Sequence, residues 1–184
     1  MYEVEFIGRG GQGAKTAAEI VARQAIKKGL WVQSFPDYGP ERKGAPVRAF
    51  TRTSDKPIRG CSNEANPDIV VVIDPTLVSL SGTFFTLKKD ALLIVNTAES
   101  AEQIKKEIGF DGKVFTLDAT RIALENFKMP ITNTPMLAAF AKASGLMTKE
   151  ELEKEIEEEF GKKIDSDMLK KNMSCVEQAF NELK

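Results

Sequence analysis

The sequence of 184 residues contains no histidine and two cysteines, Cys61 and Cys175. Without an imidazole, the chain has neither a Ser-His-Asp triad nor a histidine ligand for a metal. Two thiols are too few for an iron–sulfur cluster or a structural zinc site, each of which requires about four ligands. These absences predict that the chain carries no cluster, no structural zinc site and no imidazole acid–base catalyst of its own.

Long apolar runs are also missing, since no stretch approaches the roughly 18–20 residues that cross a membrane. The first residues form a strand pattern with two glutamates, unlike a secretory signal or a basic transit peptide. A net charge of -1 gives no general attraction to nucleic acid or to anionic lipid. We therefore expect a cytoplasmic protein that binds neither membranes nor nucleic acid.

Strand and helix patterns alternate along most of the chain, which is long enough for one domain over residues 1–184. The continuous β-branched run at 68–74 is typical of a strand buried on both faces of a parallel sheet. The link before strand 47–53 is too short for a helical crossover, so that strand is predicted to be antiparallel to a neighbour. Strands are predicted at 2–7, 31–35, 47–53, 68–74, 91–95 and 114–118, and helices at about 12–29, 75–80, 101–108, from 119 to 127, 134–144, 149–160 and 167–183.

This alternation predicts an α/β fold of three layers, α/β/α, around a mainly parallel but mixed sheet. Its first β–α unit is Rossmann-like, and its C-terminal part, about 133–184, is helical. The helical part contains an acidic run at Glu155, Glu157, Glu158 and Glu159. Because charge runs on helices usually face water, we predict a solvated surface here, with partner docking as the alternative.

A glycine loop at residues 8–13, which reads GRGGQG, joins the first predicted strand to the first helix. This order aims backbone N–H groups and the positive end of a helix at an anion. The spacing also matches the G-x-G-x-x-G of dinucleotide sites, which need an acidic residue at the end of the second strand. That strand is predicted to end at Phe35, and Asp37 follows Pro36 in a predicted turn. Three interpretations stay open: a tight turn for close packing, an anion site, and a nicotinamide or flavin site.

A second loop, the basic loop at residues 35–46, contains three prolines and two glycines. Guanidinium groups of the kind found here favour bidentate contacts with phosphate or carboxylate. The basic residues are interpreted as phosphate contacts, as contacts to acidic groups of a partner subunit, or as a solvated strand face. They lie in the loop and after it, at Arg42, Lys43, Arg48, Arg52, Lys56 and Arg59.

Taken together, the two loops resemble those of the gamma subunit of pyruvate:ferredoxin oxidoreductase and its 2-oxoacid:acceptor relatives. The resemblance rests on the run GRGGQGA at 8–14 and the run YGPERKGAPV at 38–47, in this order and at this spacing. It extends from residue 4 to at least residue 145, and it continues through residues 48–52, 54–58, 67–68, 74–77 and 133–137.

The resemblance implies one component of an enzyme that oxidatively decarboxylates a 2-oxoacid, most closely pyruvate, with thiamine diphosphate and coenzyme A. Electrons leave such an enzyme through [4Fe-4S] clusters to ferredoxin. Its alpha and beta subunits hold thiamine diphosphate with Mg²⁺, and the beta subunit and a delta subunit hold the clusters. The gamma component packs on these partners and binds no cofactor alone, although its loops are candidates for contact with the phosphates of coenzyme A. The alternatives are a branched-chain 2-oxoacid as substrate, or a free-standing reductase that binds NAD or FAD.

The resemblance assigns no catalytic and no metal-binding residue to this chain. It implies a set of cofactor-binding or interface residues in the glycine loop, in the basic loop and at two later positions. These are Gly8, Arg9, Gly10, Gly11, Gln12, Gly13, Tyr38, Gly39, Pro40, Glu41, Arg42, Gly44, Arg48 and Asn133.

Overall fold

The computed structural model describes residues 1–38, 44–59, 66–80 and 86–184. Within these ranges the strands are β1 (Tyr2–Arg9), β2 (Trp31–Tyr38), β3 (Pro46–Ser54), β4 (Ile69–Val72), β5 (Leu92–Asn96) and β6 (Lys113–Leu117). The α-helices are α1 (Ala14–Lys27), α2 (Ala101–Ile108), α3 (Ala119–Phe127), α4 (Asn133–Ser144), α5 (Lys149–Phe160) and α6 (Ser166–Glu182), and Pro75–Leu80 forms a 3-10 helix. Each predicted strand and helix is present, within a few residues of its predicted bounds.

The strands form one mixed sheet in the order β2-β3-β1-β4-β5-β6. Strands β1, β4, β5 and β6 are parallel, whereas β3 pairs antiparallel with both β1 and β2. The antiparallel placement of β3 is confirmed, because the short link from β2 closes a hairpin instead of a helical crossover. The predicted α/β fold around a mainly parallel, mixed sheet is confirmed as well.

Strand β2 runs past its predicted end at Phe35. Pro36 and Asp37 lie in the strand, opposite Ala49 and Arg48 of β3, so the prediction that they belong to a turn is wrong. Proline has no N–H to donate, but an edge strand leaves one side of its backbone without a strand partner. Because β2 is an edge strand of this sheet, it accommodates Pro36.

One face of the sheet carries a layer that is two helices deep. Helices α1 and α4 pack directly on the strands, and α3, α5 and α6 pack against α4. Helix α4 is apolar around its whole circumference, with Met136, Leu137 and Phe140 fully buried, as expected of a helix that others enclose. Across the described ranges, no helix combines the length and the apolar character needed to cross a bilayer.

The opposite face is covered over β4, β5 and β6 by α2 and the 3-10 helix. Ile104 of α2 and Leu77 and Val78 of the 3-10 helix are buried against the strands. Helix α2 begins with a capping box, in which the Ser100 side chain accepts from the Gln103 N–H and the Gln103 side chain accepts from the Ser100 N–H. These elements complete the predicted α/β/α layers.

The acidic run of α5 does not behave as one solvated face. Glu157 and Glu158 are exposed, as predicted, but Glu155 is fully buried, so the prediction is wrong for this residue. Its carboxylate lies 3.2 Å from Arg23 Nε and 2.7 Å from Lys27 Nζ, both on α1. Helix α5 packs on α1, and the two cations offset the charge that the packing buries.

Candidate anion-binding site

The glycine loop lies at the carboxyl end of β1 and leads directly into α1. Gly11 and Gly13 adopt φ of 102° and 82°, in the left-handed region that glycine enters at little steric cost. Gly13 is the N-cap of α1 and has no side chain to cap the helix. These glycines therefore let the chain reverse sharply and leave the first turn of α1 accessible from the loop.

The first turn of α1 presents donors for an anion. In the described part of the chain, no side chain caps this helix, and Ala14, Lys15 and Thr16 of its first turn line an open cleft of about 260 Å³. The partial positive charge of a helix N-terminus adds to the cationic side chains of Arg9 and Lys15 beside it. The cleft is lined by Arg9, Gly10, Gly11, Gly13, Ala14, Lys15, Thr16 and Val47.

A side-chain network holds the glycine loop from within. Gln12 Oε1 accepts from the Arg9 N–H at 2.6 Å, and Gln12 Nε2 donates to Asp74 Oδ2 at 2.6 Å. Asp74 Oδ2 also lies 3.4 Å from Arg9 Nε. On its other oxygen, Asp74 accepts from the N–H of Thr76 at 3.0 Å and from its hydroxyl at 2.5 Å. Asp74 follows β4, the strand beside β1, so the sheet brings it to the loop.

The Asp74 carboxyl is held in its ionised form. Burial raises the pKa of a carboxyl group, but hydrogen bonds from Thr76 and Gln12 and the positive charge of Arg9 outweigh burial here. The pKa of Asp74 is therefore lowered from its ordinary value. At neutral pH the network contains a carboxylate that only accepts hydrogen bonds, which matches the donors around it.

The glycine loop is also joined to the end of the basic loop. The Gly10 N–H donates to the Ala45 carbonyl at 2.9 Å, and Arg9 Nη1 donates to the Gly44 carbonyl at 3.2 Å. The structure thus brings together the two loops that are some thirty residues apart in the sequence. Residues 39–43, which include the predicted site residues Gly39, Pro40, Glu41 and Arg42, lie outside the described residues, and Tyr38 is the last residue of β2.

Asn133 is the first residue of α4, and it packs directly on Gly13. A Cβ atom placed on Gly13 would lie 3.0 Å from Asn133 Cβ and 3.1 Å from Asn133 Nδ2. This distance leaves no room for a side chain at position 13. Most of the predicted site residues that the structure describes are therefore gathered at one place, the carboxyl end of β1; Gly8, Arg9, Gly10, Gly11, Gln12, Gly13, Gly44 and Asn133 all lie there.

Arg48 has a different environment from these residues. Its neighbour Ala49 lies in the core beside α1, so Arg48 projects from the opposite face of the sheet. There its guanidinium pairs with Glu5 and lies 4.9 Å from the ring centre of Phe50. Burial raises the pKa of the fully buried Glu5 carboxyl, and the hydrogen bond and charge of Arg48 oppose that shift. Arg48 thus compensates a buried charge within the sheet.

Arg52 projects from the same face as Arg48 and pairs with Glu3. Both side chains are buried, and the Arg52 guanidinium lies 5.2 Å from the ring centre of Phe35. The interpretation of the basic residues as a solvated strand face is therefore wrong for Arg52. Lys56 and Arg59 are exposed.

The geometry does not fit a nicotinamide or flavin site. In such a site the ribose-binding acid ends the strand beside β1. Here β3 lies between β1 and β2, so Asp37 at the end of β2 is two strand spacings, about 10 Å, from β1. In addition, the short β2–β3 hairpin replaces the helix that connects strands in a dinucleotide-binding unit.

The described residues also do not fit a cluster or metal of the chain's own. The described residues contain no group of three or more His, Cys, Asp or Glu side chains placed to hold a metal ion. Cys175 is buried, and burial raises the pKa of its thiol to about 12, so it is not a thiolate at neutral pH. Cys61 lies outside the described residues.

Asp74 and Thr76 are the site residues that the sequence did not single out. The stretch 74–77 is part of the resemblance, but no local pattern gives it a role. The one available signal was its position at the end of a predicted buried strand. In parallel sheets, the carboxyl ends of neighbouring strands meet at one edge, where ligands bind.

Comparison with known proteins gives a consistent set of relatives. A family model described as pyruvate ferredoxin/flavodoxin oxidoreductase matches residues 3–182. Pyruvate synthase subunit PorC of Thermotoga maritima is 44% identical over 183 residues, which cover 100% of this chain and 95% of the relative. The pyruvate/ketoisovalerate oxidoreductases common subunit gamma of Thermococcus kodakarensis is 47% identical over 182 residues, 98% of this chain and 96% of the relative. The crystal structure of pyruvate oxidoreductase subunit PORC from Thermotoga maritima superposes with a TM-score of 0.84 at 40% identity, covering 100% of this chain and 97% of that chain.

Proposed function

Since the chain belongs to the pyruvate ferredoxin/flavodoxin oxidoreductase family, we propose that it is the non-catalytic gamma component of a 2-oxoacid:ferredoxin oxidoreductase. The assembled enzyme would convert pyruvate and coenzyme A to acetyl-CoA and CO₂, with two electrons passed to ferredoxin. The observation that carries this proposal is the 44% identity to a pyruvate synthase subunit over the full length of the chain. We place the enzyme in the cytoplasm.

Pyruvate is the proposed 2-oxoacid, and a branched-chain 2-oxoacid is the second candidate. A relative that is 47% identical is named as a subunit common to pyruvate and ketoisovalerate oxidoreductases. A shared subunit cannot by itself select one of the two substrates. We therefore assign the choice of 2-oxoacid to the partner subunits.

The chemistry of the reaction resides in partner subunits under this proposal. Thiamine diphosphate with Mg²⁺ would supply the decarboxylation, and [4Fe-4S] clusters the electron transfer, both held by alpha, beta and delta subunits. This division of roles agrees with a chain that has two cysteines and no histidine. The contribution of this chain is to pack on those partners and to position coenzyme A.

We propose that the cleft beside the glycine loop binds a phosphate of coenzyme A. Coenzyme A carries several phosphate charges at its nucleotide end. Backbone N–H groups at the start of α1 provide directional donors for such a group, and Arg9 and Lys15 provide charge next to them. The residues of the basic loop would extend this contact or pair with acidic groups of a partner subunit.

We expect the isolated chain to contain neither iron nor thiamine diphosphate and to be unable to oxidise pyruvate. The physical reason is that its sequence has too few cysteines for a cluster and no histidine for imidazole acid–base catalysis. Iron analysis and ferredoxin reduction, measured on the pure chain and after its addition to alpha, beta and delta subunits, test this. The three partners without this chain are the control. Stoichiometric iron or turnover in the isolated chain would contradict the proposal.

We also expect Arg42→Ala to raise the KM for coenzyme A, or to weaken subunit assembly, more than Lys105→Ala does. Pro40 and Pro46 each fix their backbone φ angle on either side of Arg42, so less entropy is lost when its guanidinium makes a contact. A charge-assisted hydrogen bond contributes about 1.5–3 kcal/mol, which corresponds to an increase in KM of at least about tenfold. Lys105 is a half-buried lysine of α2, on the other side of the sheet from α1, and serves as the control. Steady-state kinetics with varied coenzyme A, together with gel filtration of the complex, separates the two effects; equal and negligible changes would remove Arg42 from the site.

A further inference from the structure

Asp74 makes contacts that exceed what its own turn requires. Its Oδ1 accepts from the N–H and hydroxyl of Thr76, two residues on, as in an ordinary turn where a side chain caps its own backbone. Its Oδ2 faces away from this turn, toward Gln12 and Arg9. One carboxylate therefore joins the segment after β4 to the glycine loop after β1.

The contacts of Arg9 extend this connection to a third segment. Its guanidinium donates to the Thr76 hydroxyl at 2.8 Å and to the Gly44 carbonyl at 3.2 Å, and its Nε faces Asp74. Gln12 in turn fixes the start of the loop, because its side-chain oxygen Oε1 accepts from the Arg9 N–H. Asp74 is the acceptor that the side chains of both Gln12 and Arg9 share, and its side chain is 10% exposed. Removing the Asp74 carboxylate would leave the side chains of Gln12 and Arg9, in the glycine loop, and Thr76, after β4, without their shared acceptor.

We propose that Asp74 is the positioning residue of the site: through Gln12 and Arg9 it holds the glycine loop in its observed conformation and keeps the described end of the basic loop, Gly44 and Ala45, beside it. The consequence for coenzyme A rests on the function proposed above. The positioning itself does not, because it concerns contacts within this chain. The competing explanation is that Asp74 serves its own turn through Oδ1 alone, in which case Oδ2 contributes nothing to the loop.

An isosteric substitution separates the two explanations. In Asp74→Asn, the side-chain oxygen still accepts from the Thr76 N–H. The introduced NH₂ group then faces the NH₂ group of Gln12, so that two donors oppose each other. We expect amide hydrogen exchange at Arg9, Gly10 and Gln12 in the full-length chain to accelerate at least about tenfold, since these N–H groups are bonded in the ordered loop. Unchanged exchange at these three amides would overturn the proposal.

A second variant restores the hydrogen bond with its direction reversed. Combining Asp74→Asn with Gln12→Glu lets the introduced amide donate to the introduced carboxylate, which still accepts from the Arg9 N–H. We expect exchange at the three amides to return to within about twofold of the wild-type rate. Failure of this rescue would show that the contact between positions 12 and 74 is not what orders the loop, and it would overturn the proposal.

Asp118 offers a matched control for the substitution. It follows β6 as Asp74 follows β4, and its Oδ1 accepts from the Arg121 N–H at 2.9 Å at the start of α3. Asp118→Ala should accelerate exchange in the first turn of α3 and leave the glycine loop unchanged. Acceleration of glycine-loop exchange by this control would point to general loosening of the fold and count against a specific role of Asp74.

Kinetics of the assembled enzyme then tests the coenzyme A contact separately from the positioning role of Asp74. We expect Asp74→Asn to raise the KM for coenzyme A at least about tenfold and to leave kcat at saturating coenzyme A within about twofold, with rescue by Gln12→Glu. If the loop loosens and is rescued while KM stays constant, the positioning stands and the coenzyme A contact fails. If exchange does not change, the positioning fails whatever the KM.

Discussion

We expect Gly13→Val to lower the activity of the reconstituted enzyme more than tenfold at subsaturating coenzyme A. Position 13 has φ of 82°, and a Cβ there would meet Asn133 Cβ at 3.0 Å. A residue other than glycine in the left-handed region costs about 1–2 kcal/mol, and overpacking at a fixed contact costs about 1–3 kcal/mol more. The start of α1 or of α4 must shift by a few tenths of an ångström to relieve the contact, and this displaces the first turn of α1, which lines the cleft. Activity at varied coenzyme A, with gel filtration of the complex, measures the effect.

Gly29→Val is the matched control for this substitution. Gly29 has φ of 78°, close to that of Gly13, but no atom lies within 4 Å of a Cβ added there. It follows the opposite end of α1, so the substitution carries the same backbone strain without the clash at the site. We expect Gly29→Val to destabilise the chain moderately and to keep its activity in the complex. If the Gly13→Val chain folds normally and restores full activity, the glycine loop is only a tight turn.

We expect Arg52→Ala to lower the free energy of unfolding by about 3–5 kcal/mol, the usual cost of leaving a buried charge without its partner. The side chains of Arg52 and Glu3 are 5% and 7% exposed. Without Arg52, the Glu3 carboxylate keeps the Asn66 N–H at 2.9 Å but loses its counterion. The substitution also removes the guanidinium that lies over the Phe35 ring. Urea unfolding of the wild-type and variant chains measures the difference.

Two further variants identify the cause of this loss. Lys171→Ala breaks an ion pair with Asp167 whose side chains are 39% and 74% exposed, and we expect no measurable change in stability because water screens that pair. Arg52→Met combined with Glu3→Leu removes both buried charges and keeps apolar volume, so we expect most of the stability to return. A double variant as unstable as Arg52→Ala would attribute the loss to packing instead of an unpaired charge.

Elements with a strong local signal were predicted well. The β-branched run around β4 is apolar on both faces because helices cover both sides of the parallel strands, and the sequence shows this without reference to any other segment. The start of α2 was predicted from Ser100, because a capping side chain acts within three residues of itself. The antiparallel direction of β3 was predicted because the link between β2 and β3 is too short for a helical crossover. In each case the interacting groups are neighbours along the chain.

The candidate site was predictable in part for the same reason. The glycine loop is a local pattern, and its left-handed glycines and helix start lie where the spacing placed them. The role of Asp74 was not predictable, because its partner Gln12 lies 62 positions away and becomes its neighbour only when β4 pairs with β1. The contact of Gly13 with Asn133 depends in the same way on how α4 packs against the sheet.

The sequence alone was enough to establish the α/β alternation, the glycine loop, the absence of histidine, the shortage of cysteines for a cluster, and the family. Which charged side chains are buried depended on packing between elements that are distant in the sequence. Glu155 belongs to an acidic run that looks solvated, yet it is buried because α5 packs on the cations of α1, and Arg52 belongs to a basic stretch, yet it is buried against Glu3 of β1. A charge enters the interior only where a distant element supplies its counterion, and that pairing arises when the strands and helices assemble.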